Sequence, residues 1–458
     1  MEYRIISHTE SRRLILIFAG WAMDWRPMKN LRRPGYDVAV VWGYAPDDVV
    51  PDFAEGYDEI CLVAWSLGVA VAPAAVRGIA DKITLAIAVN GTMTPVDDRC
   101  GIPEAIFRGT LDGLDDRNLT KFYRRVTGSR PAFDRFDADR PVFDLDTLRR
   151  QLAMFLSYSA AAMNWDMAII GKRDAIFPPE NMHRAWAGHT RCVDTDDAHL
   201  PDFQDIIDRY VINKELVQER FSNGLRTYDS AATVQSDMAA RMMCMLADAG
   251  VSLASARVLE VGSGTGLLSR QLDSQIGPGG CLDMIDLAAG APVEGADRSF
   301  TRGDAELIIR ALPSAAYDLV ISASTVQWFH SPERFMAECR RVLRPGGCIA
   351  IGTYVDGNLP EVRSLTGAGL SLLSADDWHR IAAALGGDVA QFTPYSSTLH
   401  FGSALEAFRH LKLTGVNSLA TTGEGAGKLR HALRSAEPFE LTYKALIFLI
   451  KLPIDYAR

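Results

Sequence analysis

VLEVGSGTG, residues 258–266, decides how the second half of the chain reads. An apolar run ends at Val261, glycines follow at 262, 264 and 266, and the helical LLSRQL comes directly after. Glycines let a backbone turn sharply and approach a ligand, and a helix start behind them directs N–H groups at it. A dinucleotide fingerprint would space its glycines G-x-G-x-x-G. Here the spacing is tighter and an acid, Glu260, opens it, as E-x-G-x-G-x-G. Working outward, ARVLEVG, GCLDMID, YDLVISAS and GCIAIGTYV read as buried strands separated by helices, the pattern of a parallel α/β sheet.

The first half has the same alternation. LILIFAG, EICLVAW, ITLAIAVNG, DMAIIG and TRCVDT read as buried strands bounded by turn residues. A polar, Asp- and Arg-rich helical stretch from about 102 to 160 interrupts them and is expected to be an inserted cap. In DFQDIIDRYVINKELV one helix runs into another, which places the expected boundary near residue 212 and gives domains 1–211 and 212–458.

A serine breaks an apolar run in LVAWSLGVA, residues 62–70. Acyl transfer on such an elbow needs a histidine to take the serine proton and a carboxylate to orient that histidine. In the α/β-hydrolase layout these arrive in the order Ser, Asp, His, each on a loop after a strand. Ala64-Trp65-Ser66-Leu67-Gly68 departs from G-x-S-x-G only in its first alanine. Asp174 directly follows DMAIIG and His199 directly follows TRCVDT, whereas His183 lies in a helical stretch and His189 precedes its strand. The N–H groups of Leu67 and of Trp21, in FAGWAMD, are the candidate oxyanion donors.

The net charge of −9 argues weakly against nucleic-acid binding. Seven scattered cysteines without a CxxC pair suggest neither a metal site nor a disulfide framework, and fit a reducing cytosol. The polar N-terminus, with no long apolar run elsewhere, gives a cytoplasmic, non-membrane expectation.

GWAMDWRPM, AWSLG, GKRDAIFPPEN and DAHLP resemble the pimeloyl-ACP methyl ester esterases of biotin synthesis, BioG type, over about residues 1–210. That likeness implies an α/β-hydrolase fold with Ser66, Asp174 and His199 as the triad. The glycine loop resembles that of class I, Rossmann-like methyltransferases, which bind S-adenosylmethionine. It implies Glu260, Gly262, Ser263, Gly264 and Gly266 as the cofactor loop and Asp286 at the ribose. Asp304 with Ala305 would meet the adenine, and Ser322 lies on the strand that borders the methyl donor.

ERFSNGLRTYDSAATVQ (219–235), SASTVQWFHSP (322–332) and HLKLTGVN (410–417) are similar to the malonyl-ACP O-methyltransferases of the same pathway, BioC type. Lys412, Asn417 and Gln327 are candidates to hold the substrate carboxylate; Tyr228 is a candidate lid, and Trp328 stands beside Gln327.

Together the resemblances imply a chain that methylates malonyl-ACP, or malonyl-CoA, and later hydrolyses the methyl ester of pimeloyl-ACP. An acidic carrier would need basic surfaces. Lys121, Arg124, Arg125, Arg149 and Arg150 in the cap, and Arg340, Arg341 and Arg344 in the second half, are the candidates. The alternative is a carboxyl methyltransferase joined to a non-catalytic hydrolase-like module that only binds the carrier.

Overall fold

The computed structural model describes the whole chain apart from residues 46–47, 289, 291, 368, 416–424, 436 and 455–458. The chain divides into two compact units, Met1–Val211 and Ile212–Arg458.

In the first unit seven strands form one sheet: β1 (Glu2–Ser7), β2 (Arg13–Phe18), β3 (Asp37–Trp42), β4 (Glu59–Trp65), β5 (Ile83–Val89), β6 (Met167–Gly171) and β7 (Arg191–Thr195). Their order is β1-β3-β2-β4-β5-β6-β7. β1 runs antiparallel to β3, while the inner pairs are parallel. β3, β4 and β5 are buried along their whole length. That is why they read as continuous apolar runs: helices cover both faces of a parallel sheet.

α1 (Gly68–Ala75) leaves the end of β4, and four cap helices stand between β5 and β6: α2 (Glu104–Asp112), α3 (Asp116–Thr127), α4 (Arg130–Asp137) and α5 (Leu145–Met154). Asp115, Ser129 and Asp144 cap α3, α4 and α5 by accepting from Asn118, Ala132 and Thr147 N–H groups. The cap turns Phe107, Phe122, Tyr123, Leu148 and Leu152 into the core. α6 (Pro179–Trp186) and α7 (Phe203–Tyr210) complete the unit.

The second unit opens with α8 (Lys214–Ala231) and α9 (Thr233–Asp248). Its sheet contains β8 (Arg257–Val261), β9 (Cys281–Asp286), β10 (Arg298–Arg302), β11 (Tyr317–Ala323), β12 (Leu343–Tyr354), β13 (Asp388–Phe401) and β14 (Phe439–Lys451). The order is β10-β9-β8-β11-β12-β14-β13, with β14 antiparallel to both its neighbours. Alternate residues of the parallel strands feed two cores. Val258, Leu282 and Leu319 face one layer, and Leu259, Ile285 and Val320 the other. α10 (Ser269–Asp273), α11 (Ala305–Ala311) and α12 (Pro332–Val342) lie between strands.

Candidate active sites

In the first unit the residues singled out by order along the chain meet at the carboxyl ends of β4, β6 and β7. Ser66 has φ +59°, a left-handed conformation that costs a non-glycine residue and turns its hydroxyl out of the elbow. Close packing enforces the turn: a Cβ on Gly68 would lie 2.8 Å from the Ala19 carbonyl oxygen. Ala64 occupies the first position of the motif inside β4, in register with Phe18 and Ala88 and fully buried, so the alanine methyl is accommodated there.

His199 Nε2 lies 2.9 Å from Ser66 Oγ, and His199 Nδ1 lies 2.7 Å from Asp174 Oδ2. The other Asp174 oxygen accepts from the N–H groups of Ile176 and Phe177. All three side chains are buried. The shape is that of a serine nucleophile, a base and an orienting acid.

Residues that the sequence did not single out hold His199 in place. The Trp65 indole donates to the His199 carbonyl at 2.7 Å, and the Asn90 amide donates to the same oxygen at 3.0 Å. Asn90 Oδ1 also accepts from Gly171 N–H, so Asn90, itself at φ +46°, ties β6 to the histidine loop. The Phe177 ring stacks on the imidazole with an interplanar angle of 9°.

Trp21 and Leu67 line the cavity over Ser66, and among the described residues neither backbone N–H has a partner in the chain. The Trp21 indole is engaged elsewhere, with the Leu148 carbonyl. Cap side chains Ile106, Phe107, Phe122 and Leu152 make the cavity wall apolar, and the exposed Arg125 lines it too. An adjoining cavity shares Ile106, Phe122 and Arg125 and reaches Asn118 and Lys121. Arg124 is exposed over the Phe133 ring, while Arg149 and Arg150 are bonded to Asp146 and Thr147 of their own helix.

In the second unit a cavity lies at the carboxyl ends of β8, β9 and β11. Gly262, Gly264, Asp286, Asp304, Ala305, Trp328 and Tyr228 line it. Asp286 accepts from Gly264 N–H with one oxygen and from Ala288 N–H with the other. Asp304 caps α11. Burial, with Asp286 nearby, pushes the Tyr228 phenol up, so it stays a donor.

Other expected residues are placed differently. Gly266 packs against Pro292, and Ser322 spends its hydroxyl on the Val261 carbonyl inside the sheet. Glu260 and Ser263 are buried behind the loop rather than lining the cavity. Gln327 donates to the Ser324 carbonyl and accepts from Thr353, which turns its amide away from the cavity. Lys412 is exposed on the helix Ala404–Leu413. Asn417 lies outside the described residues. Arg341 bonds Glu338 and the Ile309 and Leu312 carbonyls, and Arg344 pairs with Asp318 at the start of β11. With Arg340 they sit at the sheet end opposite the cavity. The sequence did not point to Lys214, Gln218 and Phe221, which α8 contributes to the cavity wall.

Glu260 is 1% exposed, and its Oε2 has no hydrogen-bond partner among the described residues. Burial pushes its carboxyl up from 4.5 to about 7. The folded state therefore binds this proton more tightly than the unfolded chain does. The stability of the unit falls as pH rises through that window, with the full penalty, about 3 kcal/mol, present above it. Glu260→Gln is expected to raise the thermal midpoint of this unit at about pH 8 and to leave it little changed near pH 5. Calorimetry of the full chain at both pH values checks this.

Residues 1–205 match the family model for pimeloyl-ACP methyl esterase BioG, and residues 259–351 match a methyltransferase-domain model. A malonyl-(acyl-carrier protein) O-methyltransferase from Bacteroides fragilis (strain 638R) is 33% identical over 435 residues, which covers 91% of this chain and 86% of that one. The chain belongs to the malonyl-(acyl-carrier protein) O-methyltransferase family. Within that family it is a fusion, with a BioG domain ahead of the methyltransferase domain. A protein of the same name from Haemophilus influenzae is 33% identical over 211 residues, covering 45% of this chain and 79% of its own. A crystal structure of BioG from Haemophilus influenzae is 33% identical and covers 44% of this chain and 94% of its own, with a TM-score of 0.40. Among the described residues no helix is long and apolar enough to cross a membrane.

Proposed function

We propose that this member of the malonyl-(acyl-carrier protein) O-methyltransferase family carries out two carboxyl-group reactions on carrier-bound acyl chains. Its second unit methylates the free carboxylate of a malonyl thioester, and its first unit hydrolyses the methyl ester of the elongated, pimeloyl chain. For the hydrolase the supporting observation is the bonded series Ser66 Oγ, His199 Nε2, His199 Nδ1, Asp174 Oδ2 on a left-handed elbow.

In hydrolysis His199 Nε2 takes the Ser66 proton as Oγ attacks the ester carbonyl. The N–H groups of Trp21 and Leu67 receive the oxyanion. His199 returns the proton to the departing methoxide, which leaves as methanol, and Ser66 holds the acyl group. A water then repeats the cycle: His199 deprotonates it, the acyl–Oγ bond breaks, and Ser66 recovers its proton as the carboxylate leaves. Asp174 keeps Nδ1 protonated throughout and stabilises the imidazolium.

The second cavity fits S-adenosylmethionine on its own geometry. Gly262 and Gly264 hold left-handed turns at φ +80° and +52°, and a Cβ on Gly264 would meet no atom within 4 Å, so the loop backbone itself faces the cavity. Asp286 and Asp304 would hold the ribose and the base there. The bound cofactor supplies an electrophilic methyl group on a sulfonium. The acceptor carboxylate is already ionised near neutral pH and needs no base, so positioning does the work. The Tyr228 phenol, which stays protonated and lines this cavity together with Trp328, would donate to that carboxylate.

The carrier, an acidic protein, would meet the cap at Lys121, Arg124 and Arg125. Arg125 lines the cavity of Ser66 while Arg124 does not, so the two are unequal. Arg125→Glu is expected to lower kcat/KM on pimeloyl-ACP methyl ester by about tenfold or more and on a short p-nitrophenyl ester by less than about threefold. Arg124→Glu should do less. Equal loss on both esters would count against docking at the cap.

A further inference from the structure

Lys214 is placed against every local preference. It is the first helical residue of α8, where the helix dipole disfavours a cation, and it is only 2% exposed. Its ammonium is 2.8 Å from Glu306 Oε2 and 3.2 Å from Asp304 Oδ2, over the Phe329 ring. Glu306 is satisfied besides: its oxygens accept from His330 and Ser331 N–H groups, both at 2.9 Å. Glu306 is therefore the structural counter-ion. Asp304 is different, because it and Lys214 both line the cavity of the second unit. A residue that breaks local rules beside a binding cavity points to a role in that cavity.

We propose that Lys214 is a positioning residue of the cofactor site, keeping the Asp304 carboxylate an acceptor aimed at the cofactor's base. A base with an exocyclic amine is then accepted, and one with a carbonyl at that place is refused. The inference rests on reading this cavity as the S-adenosylmethionine site. The titratable and charged groups that face Asp304 are Lys214 from α8, Glu306 from its own helix, and His330 from the segment before α12. Burial pulls the Asp304 carboxyl up, but the charge of Lys214, the Glu306 N–H and His330 more than offset that and hold it below the usual carboxylate range. Without Lys214, burial and a neighbouring carboxylate are opposed only by the Glu306 N–H and the weaker His330 contribution, and the carboxyl takes up a proton more readily. A protonated Asp304 can donate to a carbonyl, so the site loses its discrimination.

The test is calorimetric binding of S-adenosylhomocysteine and of its inosine analogue to the full chain, from about pH 6 to about pH 8.5. The wild-type chain should prefer the adenine compound by about a hundredfold, independent of pH, as expected when one partner of a charged hydrogen bond is made repulsive. Lys214→Met should cut that ratio to about tenfold or less at the acid end, with recovery toward the alkaline end. Lys214→Arg should restore the wild-type ratio. If Lys214→Met does not fold, Lys214→Gln is measured instead, since its amide still donates to the carboxylates without the charge. The ratio compares two ligands on the same preparation, so a simple loss of folded protein does not move it. A wild-type ratio, flat with pH, in the neutral variant overturns the role of Lys214 and leaves the cofactor site standing. No binding of S-adenosylhomocysteine to the wild-type chain overturns the cofactor reading and this inference with it.

Discussion

Ser66→Ala is expected to reduce hydrolysis of pimeloyl-ACP methyl ester by about five orders of magnitude, because it removes the one atom that forms the acyl bond. Losing His199 as well should then cost little more, since members of such a unit act together. Methyl transfer to a malonyl thioester should proceed at the wild-type rate in both variants, as Ser66 belongs to Met1–Val211 and the second cavity to Ile212–Arg458. Electrospray mass spectrometry of the carrier reads both reactions directly. Residual turnover within about tenfold of wild type would mean that the 2.9 Å contact between Ser66 and His199 is not the working pair.

The second large effect is expected at Gly262. Its φ is +80°, and a Cβ there would lie 1.9 Å from Thr325 Oγ1. Thr325 stands on the segment after β11 and bonds the Ala323 carbonyl, so it cannot swing away without giving up that bond. Gly262→Ala thus combines left-handed strain with a clash against the opposite wall of the cavity. We expect a loss of about a hundredfold or more in S-adenosylmethionine affinity and in methyl transfer, from about 3 kcal/mol of displaced loop. Ester hydrolysis should be untouched. Gly264→Ala, with open space around its Cβ, should have the smaller effect on folding stability and still weaken binding. Equilibrium dialysis with labelled cofactor separates the two variants.

What the sequence disclosed follows from the kind of information each residue carries. The convergence of Ser66, Asp174 and His199 was legible because each follows a strand of one parallel sheet, which brings such loops to one edge whatever their distance along the chain; the last of these strands, β7, was expected to be buried and is only partly so. The glycine loop and Asp286 were legible for the same reason. The carboxylate-holding candidates were not. Lys412 and Gln327 sit in distinctive motifs, but which way each side chain turns depends on tertiary partners: solvent for one, Ser324 and Thr353 for the other.

The basic run at 340–344 misled similarly. It lies at the end of α12 and the start of β12, so the sheet carries it to the end away from the cavity. Asn90 and Lys214 are the opposite case. An asparagine after a strand and a lysine opening a helix look ordinary in sequence. Only the fold reveals that one holds the carbonyl of His199 and the other is buried between two carboxylates.

The central claim is that one chain both makes and removes a methyl ester on an acyl carrier, in separate units. Its most direct measurement offers the intact chain two carriers in parallel, malonyl-ACP with S-adenosylmethionine and pimeloyl-ACP methyl ester without it, and weighs the carrier by mass spectrometry. The first carrier is expected to gain a methyl group and the second to lose one. Gain without loss would contradict the claim, leaving the first unit a docking module around an idle serine.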